Sequence, residues 1–188
     1  MSRSALRLAA PALALCGGLA LPDVAAAAVS GSQGIEIEGP RDRRGFYIGP
    51  GLSMGAQFFS NAVIPAGRLE LALGGGVTKR FTLGVNLQLG VYMASSQPRK
   101  VFFGGDVEGT GFLIKGFFLR GAIGGAGVPK GDGTTDLAIG GGGAVGIGYE
   151  FWLNMSAAMQ VAATYDLRYV PEVGLRQGGF LGVRFTWY

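Results

Sequence analysis

The last stretch of the chain alternates without a break: Leu181, Val183, Phe185 and Trp187 share one parity, and Gly182, Arg184, Thr186 and Tyr188 the other. Successive residues of a strand point to opposite faces, so this pattern is a strand with one apolar wall and one small or polar wall. A central stretch repeats it at greater length. Phe81, Leu83, Val85, Leu87, Leu89, Val91 and Met93 interleave with Thr82, Gly84, Asn86, Gln88, Gly90 and Tyr92. A sheet built this way needs an apolar medium on one side and a shared interior on the other. A strand barrel in a membrane supplies both.

Composition agrees. Charged residues are only 15% of the chain and there are 36 glycines. Mean hydropathy is +0.35, whereas soluble domains carry about 25% charged residues. No apolar run beyond the N-terminal segment is long enough for a membrane-spanning helix, so the apolarity is dispersed along strands.

The N-terminal segment reads as targeting. Arg3 and Arg7 precede an apolar stretch over residues 8–21, and residues 25–28 are alanines offering small-x-small cleavage sites. Residues 1–28 are therefore expected to be a cleaved signal peptide, residues 29–44 a flexible periplasmic leader, and residues 45–188 the barrel. A lipoprotein would need a small residue before Cys16, and Leu15 stands there. Loss of Cys16 with the signal leaves no thiol for a disulfide or a metal. Removal of Arg3, Arg7 and Asp23 takes the net charge from +4 to +3. That is too small and too scattered to argue for nucleic acid.

Eight strands are predicted. The first covers residues 46–58, and the second carries Leu69, Leu71, Leu73 and Val77. The third covers 81–93, the fourth 101–114 and the fifth 117–127. The sixth carries Leu137, Ile139, Val145, Ile147, Tyr149 and Phe151. The seventh carries Met155, Met159, Val161, Tyr165, Leu167 and Tyr169, and the eighth is the C-terminal segment. Connections at Lys79-Arg80, Lys115-Gly116 and Trp152-Leu153 look tight. Those holding Asn61 and Pro65, Ser95 to Pro98, Pro129 to Asp136, and Pro171 to Gln177 look longer, at about 7–9 residues. Alternating short periplasmic turns and longer outer loops puts both termini in the periplasm. Aromatic residues gather at both predicted strand ends, as interface girdles do. Phe46, Phe81, Phe117, Phe151, Trp152, Trp187 and Tyr188 lie at one end; Phe58, Phe59, Tyr92, Phe102, Phe103, Tyr165, Tyr169 and Phe180 lie at the other. The expected fold is all-β: an eight-stranded antiparallel up-and-down transmembrane β-barrel.

The face opposite the lipid wall carries Arg68, Glu70, Asp106, Glu108, Arg120, Glu150, Asp166, Arg168 and Arg184. Eight strands enclose a space just wide enough to be filled by side chains. Charges there must pair and hydrogen-bond against the desolvation penalty. The preferred reading is a salt-bridge network that fills the lumen; an ion path along the same charges is the alternative. Glycines on that face, among them Gly74, Gly76, Gly140, Gly142, Gly146 and Gly148, keep the interior from overfilling and leave room for water. The glycine run at residues 141–146 sits inside an alternating strand and not at a strand–turn–helix junction, so it is not a nucleotide motif. Asp132 and Asp136 beside glycines are an incomplete cation set. With no histidine in the chain, the commonest general base is missing.

The opening Gly45-Phe46-Tyr47-Ile48-Gly49 and the aromatic ending resemble the small eight-stranded outer-membrane proteins of the OmpA/OmpX type. That resemblance implies insertion in a bacterial outer membrane and carries no catalytic residues. The ending is similar to the signal read by the barrel-assembly machinery, through Phe185, Trp187 and Tyr188, with the alternation in register with Trp187. Pro50 departs from the pattern, because proline loses a ladder bond in a closed sheet; a bulge or an unpaired stretch is expected in the first strand.

The expected role is a non-enzymatic envelope or surface-interaction protein without a cofactor and monomeric. Its partners would be outer-membrane lipids and lipopolysaccharide, with Arg99, Lys100, Lys130 and Arg176 in outer loops as candidates for the phosphates. Three other readings stay open: a narrow ion-conducting pore, a histidine-free outer-membrane enzyme, and a soluble lipocalin-like barrel holding a ligand. No peptidoglycan-binding domain is expected after the barrel.

Overall fold

Strands with unlike walls can satisfy every backbone group and hide one wall only by closing on themselves. A computed structural model, which describes residues 42–59, 62–93, 101–129, 137–171 and 174–188, has this form. The strands are β1 (Gly45–Phe59), β2 (Ala62–Thr78), β3 (Phe81–Tyr92), β4 (Val101–Ile114), β5 (Phe117–Pro129), β6 (Leu137–Trp152), β7 (Ala157–Val170) and β8 (Gly174–Trp187). Each pairs antiparallel with the next, and β8 pairs with β1 to close the barrel. The predicted signal peptide and all but the last three residues of the predicted leader lie outside the described residues.

The alternation partitions as the sequence predicts. In β3, Leu83, Val85, Leu87 and Leu89 are about half exposed on the outer wall, while Asn86 and Gln88 between them are 4% and 7% exposed. The outer surface is apolar along every strand and the charged residues of the strands face the lumen. A soluble ligand-binding barrel would be turned the other way. The lumen is packed in three zones. Tyr92, Phe102, Val128, Val170 and Phe180 fill the end that carries the longer connections, here called the loop end. Phe112, Phe118 and Ala162 pack toward the opposite end, where the first strand begins and the last one ends, here the terminal end. The charges lie between them.

Three expectations change. First, two predicted long connections are short: β1 and β2 are joined through residues 60–61, and β7 and β8 through 171–173. Pro65 lies in β2, opposite Ala56 of β1, and its carbonyl accepts the Met93 N–H at 2.8 Å. A strand residue directs its N–H and C=O to the same side, so the donor that Pro65 lacks faces the place where β3 ends, and the strand tolerates it. Second, the turn after β6 occupies residues 153–156. The Asn154 side chain accepts the N–H groups of Ser156 and Ala157 at 2.9 and 2.7 Å, an Asx turn that leaves Met155 outside β7. Third, the aromatic girdles are thinner than predicted. Phe46, Phe81, Phe117, Phe151 and Trp187 face outward at the terminal end, and Phe58, Phe103, Tyr165 and Tyr169 at the loop end. Tyr92, Phe102 and Phe180 are buried in the lumen instead. Trp152 and Tyr188 stack on the inward side, with ring centroids 5.2 Å apart.

Two local devices set the register. Lys115 and Gly116 both have positive φ (46° and 94°), the two-residue hairpin turn that suits the strand twist. At the closing seam the β1–β8 register runs from Ile48↔Trp187 to Gly51↔Arg184 and skips Gly49 and Pro50. These are the two pairings that would use the N–H missing from Pro50, so the expected departure is an unpaired stretch without a register shift.

The inward glycines leave room for rings more than for water. A Cβ on Gly90 would lie 2.0 Å from the Phe102 ring, one on Gly148 2.5 Å from Phe118, and one on Gly84 2.5 Å from the Tyr47 hydroxyl. Phe102 and Phe118 lie over glycines of the adjacent strand, and Tyr47 of β1 crosses Gly74 of β2 to reach Gly84 of β3, the pairing by which a sheet covers its bare backbone. Gly90→Ala is therefore expected to destabilise the refolded barrel by about 1–3 kcal/mol in urea unfolding followed by tryptophan fluorescence. The second change Phe102→Leu should recover most of that loss; a silent Gly90→Ala would show that the ring is not seated there.

Candidate functional site in the charged lumen

The site follows from parity. Once the apolar residues of a strand take the outer wall, each charged residue of opposite parity is delivered into the lumen. All nine lumen residues singled out from the sequence are placed there. At the terminal end, Glu150 of β6 is fully buried. Its Oε2 accepts Gln160 Nε2 at 2.9 Å and the Tyr188 hydroxyl at 2.6 Å. Gln160 in turn accepts Arg120 Nη2 at 2.6 Å, and Arg120 Nε lies 3.3 Å from Glu108 Oε1.

At mid-barrel, Arg184 bridges two carboxylates, Glu108 Oε1 at 2.5 Å and Glu70 Oε2 at 3.0 Å. Arg68 reaches Glu70 Oε1 at 2.9 Å and Asp166 Oδ2 at 3.4 Å. Arg168 lies between Asp166 at 2.8 Å and Asp106 at 2.6 Å. Neutral side chains take further lone pairs: Ser53 donates to Glu70 at 3.0 Å, Asn86 to Glu108 at 3.2 Å, and Gln88 to Asp106 at 2.6 Å. A continuous polar chain thus runs from Glu150 to Asp106, and each of its five carboxylates meets at least one guanidinium.

Two arginines join the lumen that the sequence reading placed elsewhere. Arg43, assigned to the leader, is buried and pairs with Glu150 at 2.6 Å. Arg176, assigned to an outer loop, lies in β8 with its side chain buried, and its guanidinium donates to Gln57 Oε1, which also accepts the Tyr92 hydroxyl at 3.1 Å. Parity carried both signals. Arg176 shares the inward parity of Phe180 and Arg184, and Arg43 that of Tyr47, Ser53 and Gln57. The other loop cations, Arg99, Lys100 and Lys130, lie outside the described residues, as do Asp132 and Asp136. Phe185 and Trp187 of the ending face outward, while Tyr188 turns in toward Glu150.

The packing leaves little space. Two cavities, each about 10 Å³, lie beside Glu70 and Arg120, room for about one water apiece. Among the described residues no cluster of three or more acidic, histidine or cysteine side chains is arranged to hold a metal ion. Outside the strands, Asp42 and Arg44 form an exposed pair at 2.5 Å, and hydrogen bonds from Arg44 hold the Asp42 carboxyl well below the usual carboxylate range.

No family model matches the chain, and no curated protein matches it. Solved structures do. Neisserial surface protein A (NspA) is similar with a TM-score of 0.51 at 14% identity, over 76% of this chain and 96% of that one. Ail of Yersinia pestis gives 0.48 at 10% identity, over 76% and 97%. OprG of Pseudomonas aeruginosa gives 0.40 at 12% identity, over 79% and 97%. The fold is that of the small eight-stranded outer-membrane barrels.

Removing one partner of a buried ion pair leaves a charge uncompensated. Arg184→Met is expected to lower the unfolding free energy by roughly 3–5 kcal/mol in urea titration of the refolded barrel. Arg44→Ala, which breaks only the exposed pair, should leave the same titration unchanged. Equal effects from the two would contradict a desolvated lumen.

Proposed function

We propose that this chain is a non-enzymatic integral protein of the bacterial outer membrane, delivered by the signal in residues 1–28, whose barrel is a sealed body with a structural or surface-contact role. The observation that carries the reading is the lumen. Apolar side chains fill its loop end, ion pairs occupy its middle, and Arg43 with Phe112 and Phe118 occupies its terminal end. The two small cavities beside Glu70 and Arg120 have room for about one water apiece, which supports a body that excludes continuous water over one that conducts ions. Every lumen carboxylate among the described residues is bound by arginine, so none of these stands free as a general base, which supports the non-enzymatic reading.

In this arrangement the terminal end faces the periplasm and the longer connections, after β3 and β5, face outward. Arg99, Lys100 and Lys130 in those connections would meet lipopolysaccharide phosphates. Arg176 leaves that set because its side chain is inside the barrel. Phe185 and Trp187 present the apolar face of the last strand to the assembly machinery during insertion, and the protein functions as a monomer.

Two measurements test the reading. Outer membranes from cells expressing the full chain should yield a compact band that shifts on a gel only after boiling. The purified barrel should give no resolved conductance steps in planar bilayers. Reproducible single-channel steps from the unaltered protein would overturn the sealed barrel and establish the pore, while recovery in the soluble periplasmic fraction would overturn membrane insertion itself.

A further inference from the structure

Arg43 stands two residues ahead of β1, yet its guanidinium is held from three directions by groups that belong to the barrel wall. One edge meets Glu150 Oε1, with Nε at 2.8 Å and Nη2 at 2.6 Å. Nη1 donates to the Lys79 carbonyl oxygen at 3.0 Å. The flat face lies over the Phe112 ring, 3.7 Å from its centroid, with the Trp152 ring at 5.5 Å. These groups come from the β2–β3 turn, β4 and β6, wall elements other than the segment that carries Arg43. Gln160 and Tyr188 orient the carboxylate by occupying its other oxygen.

The entry is also shaped by the wall. A Cβ on Gly76 would lie 1.7 Å from the Arg43 carbonyl oxygen. Only a glycine there lets the backbone ahead of β1 come close enough to lower Arg43 into the mouth. Glu150 is fully buried, and no other cation among the described residues is paired with it. The pocket therefore combines a buried carboxylate, an inward carbonyl and an aromatic face, and its occupant comes from outside the barrel wall.

We infer that the terminal mouth of the barrel is a guanidinium-binding site, filled in cis by Arg43 and open to an arginine-like cation in trans when Arg43 is withdrawn. The geometry selects guanidinium over ammonium. A planar cation can place two N–H groups on one carboxylate oxygen, send a third to a carbonyl and stack its face on a ring at the same time. An ammonium supplies charge without the plane. The site rests on the closed barrel alone and does not depend on which membrane holds it or on whether the lumen conducts.

The test is rescue of the purified, refolded full chain in detergent micelles. The readout is the temperature at which the compact gel band is lost. Arg43→Ala should lower that temperature by roughly 5–15 °C, as loss of one partner of a buried pair does. Guanidinium chloride at low millimolar concentration should restore at least half of the loss with saturation. Sodium chloride and methylammonium chloride at equal concentration should not. The unaltered protein, whose site is filled, should not respond, and the double variant Arg43→Ala with Glu150→Gln should not be rescued. Gly76→Ala, which keeps every charge but blocks the approach of the backbone, should behave like Arg43→Ala and be rescued in the same way.

Equal responses of the variant and unaltered proteins to guanidinium would overturn the site. So would equal rescue by methylammonium, or an Arg43→Ala barrel as heat-resistant as the original. Should Arg43→Ala give no compact band, the yield of that band on refolding with guanidinium replaces the melting temperature. Recovery of the yield supports the site, and no recovery overturns it.

Discussion

Arg43, Arg68, Arg120, Arg168, Arg176 and Arg184 share a narrow lumen with Glu70, Asp106, Glu108, Glu150 and Asp166, and most of what is particular to this barrel answers to their desolvation. Taken singly, none of these charges would be tolerated there. Together they reach near-neutrality, and their geometry binds opposite walls. Ladder hydrogen bonds join only neighbouring strands. The ion pairs cross the lumen: Arg68 of β2 to Asp166 of β7, Arg168 of β7 to Asp106 of β4, Arg184 of β8 to Glu108 of β4. The same interactions that settle the charges hold the cylinder in one cross-section. Buried ion pairs give little net stability over apolar packing, so their contribution here is to fix which side chains meet across the barrel.

The small residues follow from the same constraint. Long arginines and aromatic rings fill an eight-stranded lumen only if other positions on the inward face are nearly empty. Gly142 makes room for the backbone and side chain of Arg168, Gly124 for Asp106, and Gly90 for the Phe102 ring. The glycine content of the chain is thus the counterpart of its inward arginines and rings, and sealing by Tyr92, Phe102 and Phe180 depends on it.

Strand identity, strand count and the inward face of nine of the charged residues are legible because a period of two leaves no freedom: once Leu83, Val85 and Leu87 face outward, Asn86 and Gln88 cannot. What the alternation does not encode is where pairing stops. Pro65 looked like a loop residue, and its harmlessness depends on β3 ending opposite it, which is a property of the neighbouring strand. Tyr92, Phe102 and Phe180 were legible by parity as inward residues, but as aromatics near strand ends they also fitted a girdle, and parity proved the stronger guide. Arg176 reads as a loop cation because the sequence does not mark how far the β7–β8 hairpin extends. For Arg43 parity is the one local signal, because its burial depends on a glycine more than thirty positions away, at Gly76, and on a carboxylate more than a hundred away, at Glu150. No local pattern records such partners.

The closing seam brings these threads together. An up-and-down barrel closes by joining the strands farthest apart in sequence, and here that junction lacks a ladder contact at Gly49 and Pro50. Beside the gap, Arg184 of β8 extends past β1 to Glu70 of β2 and onward to Glu108 of β4. The last strand is therefore fastened to the sheet through the lumen as well as along its edge. Tyr188 and Arg43, which flank the two ends of the folded wall, meet on the same carboxylate of Glu150. Without both, the buried Glu150 at the terminal end would keep only the Gln160 amide as a partner, so the segment before β1 and the residue after β8 share one buried charge. Where Pro50 leaves a gap in the ladder, Arg184 still ties β8 to the wall beyond β1.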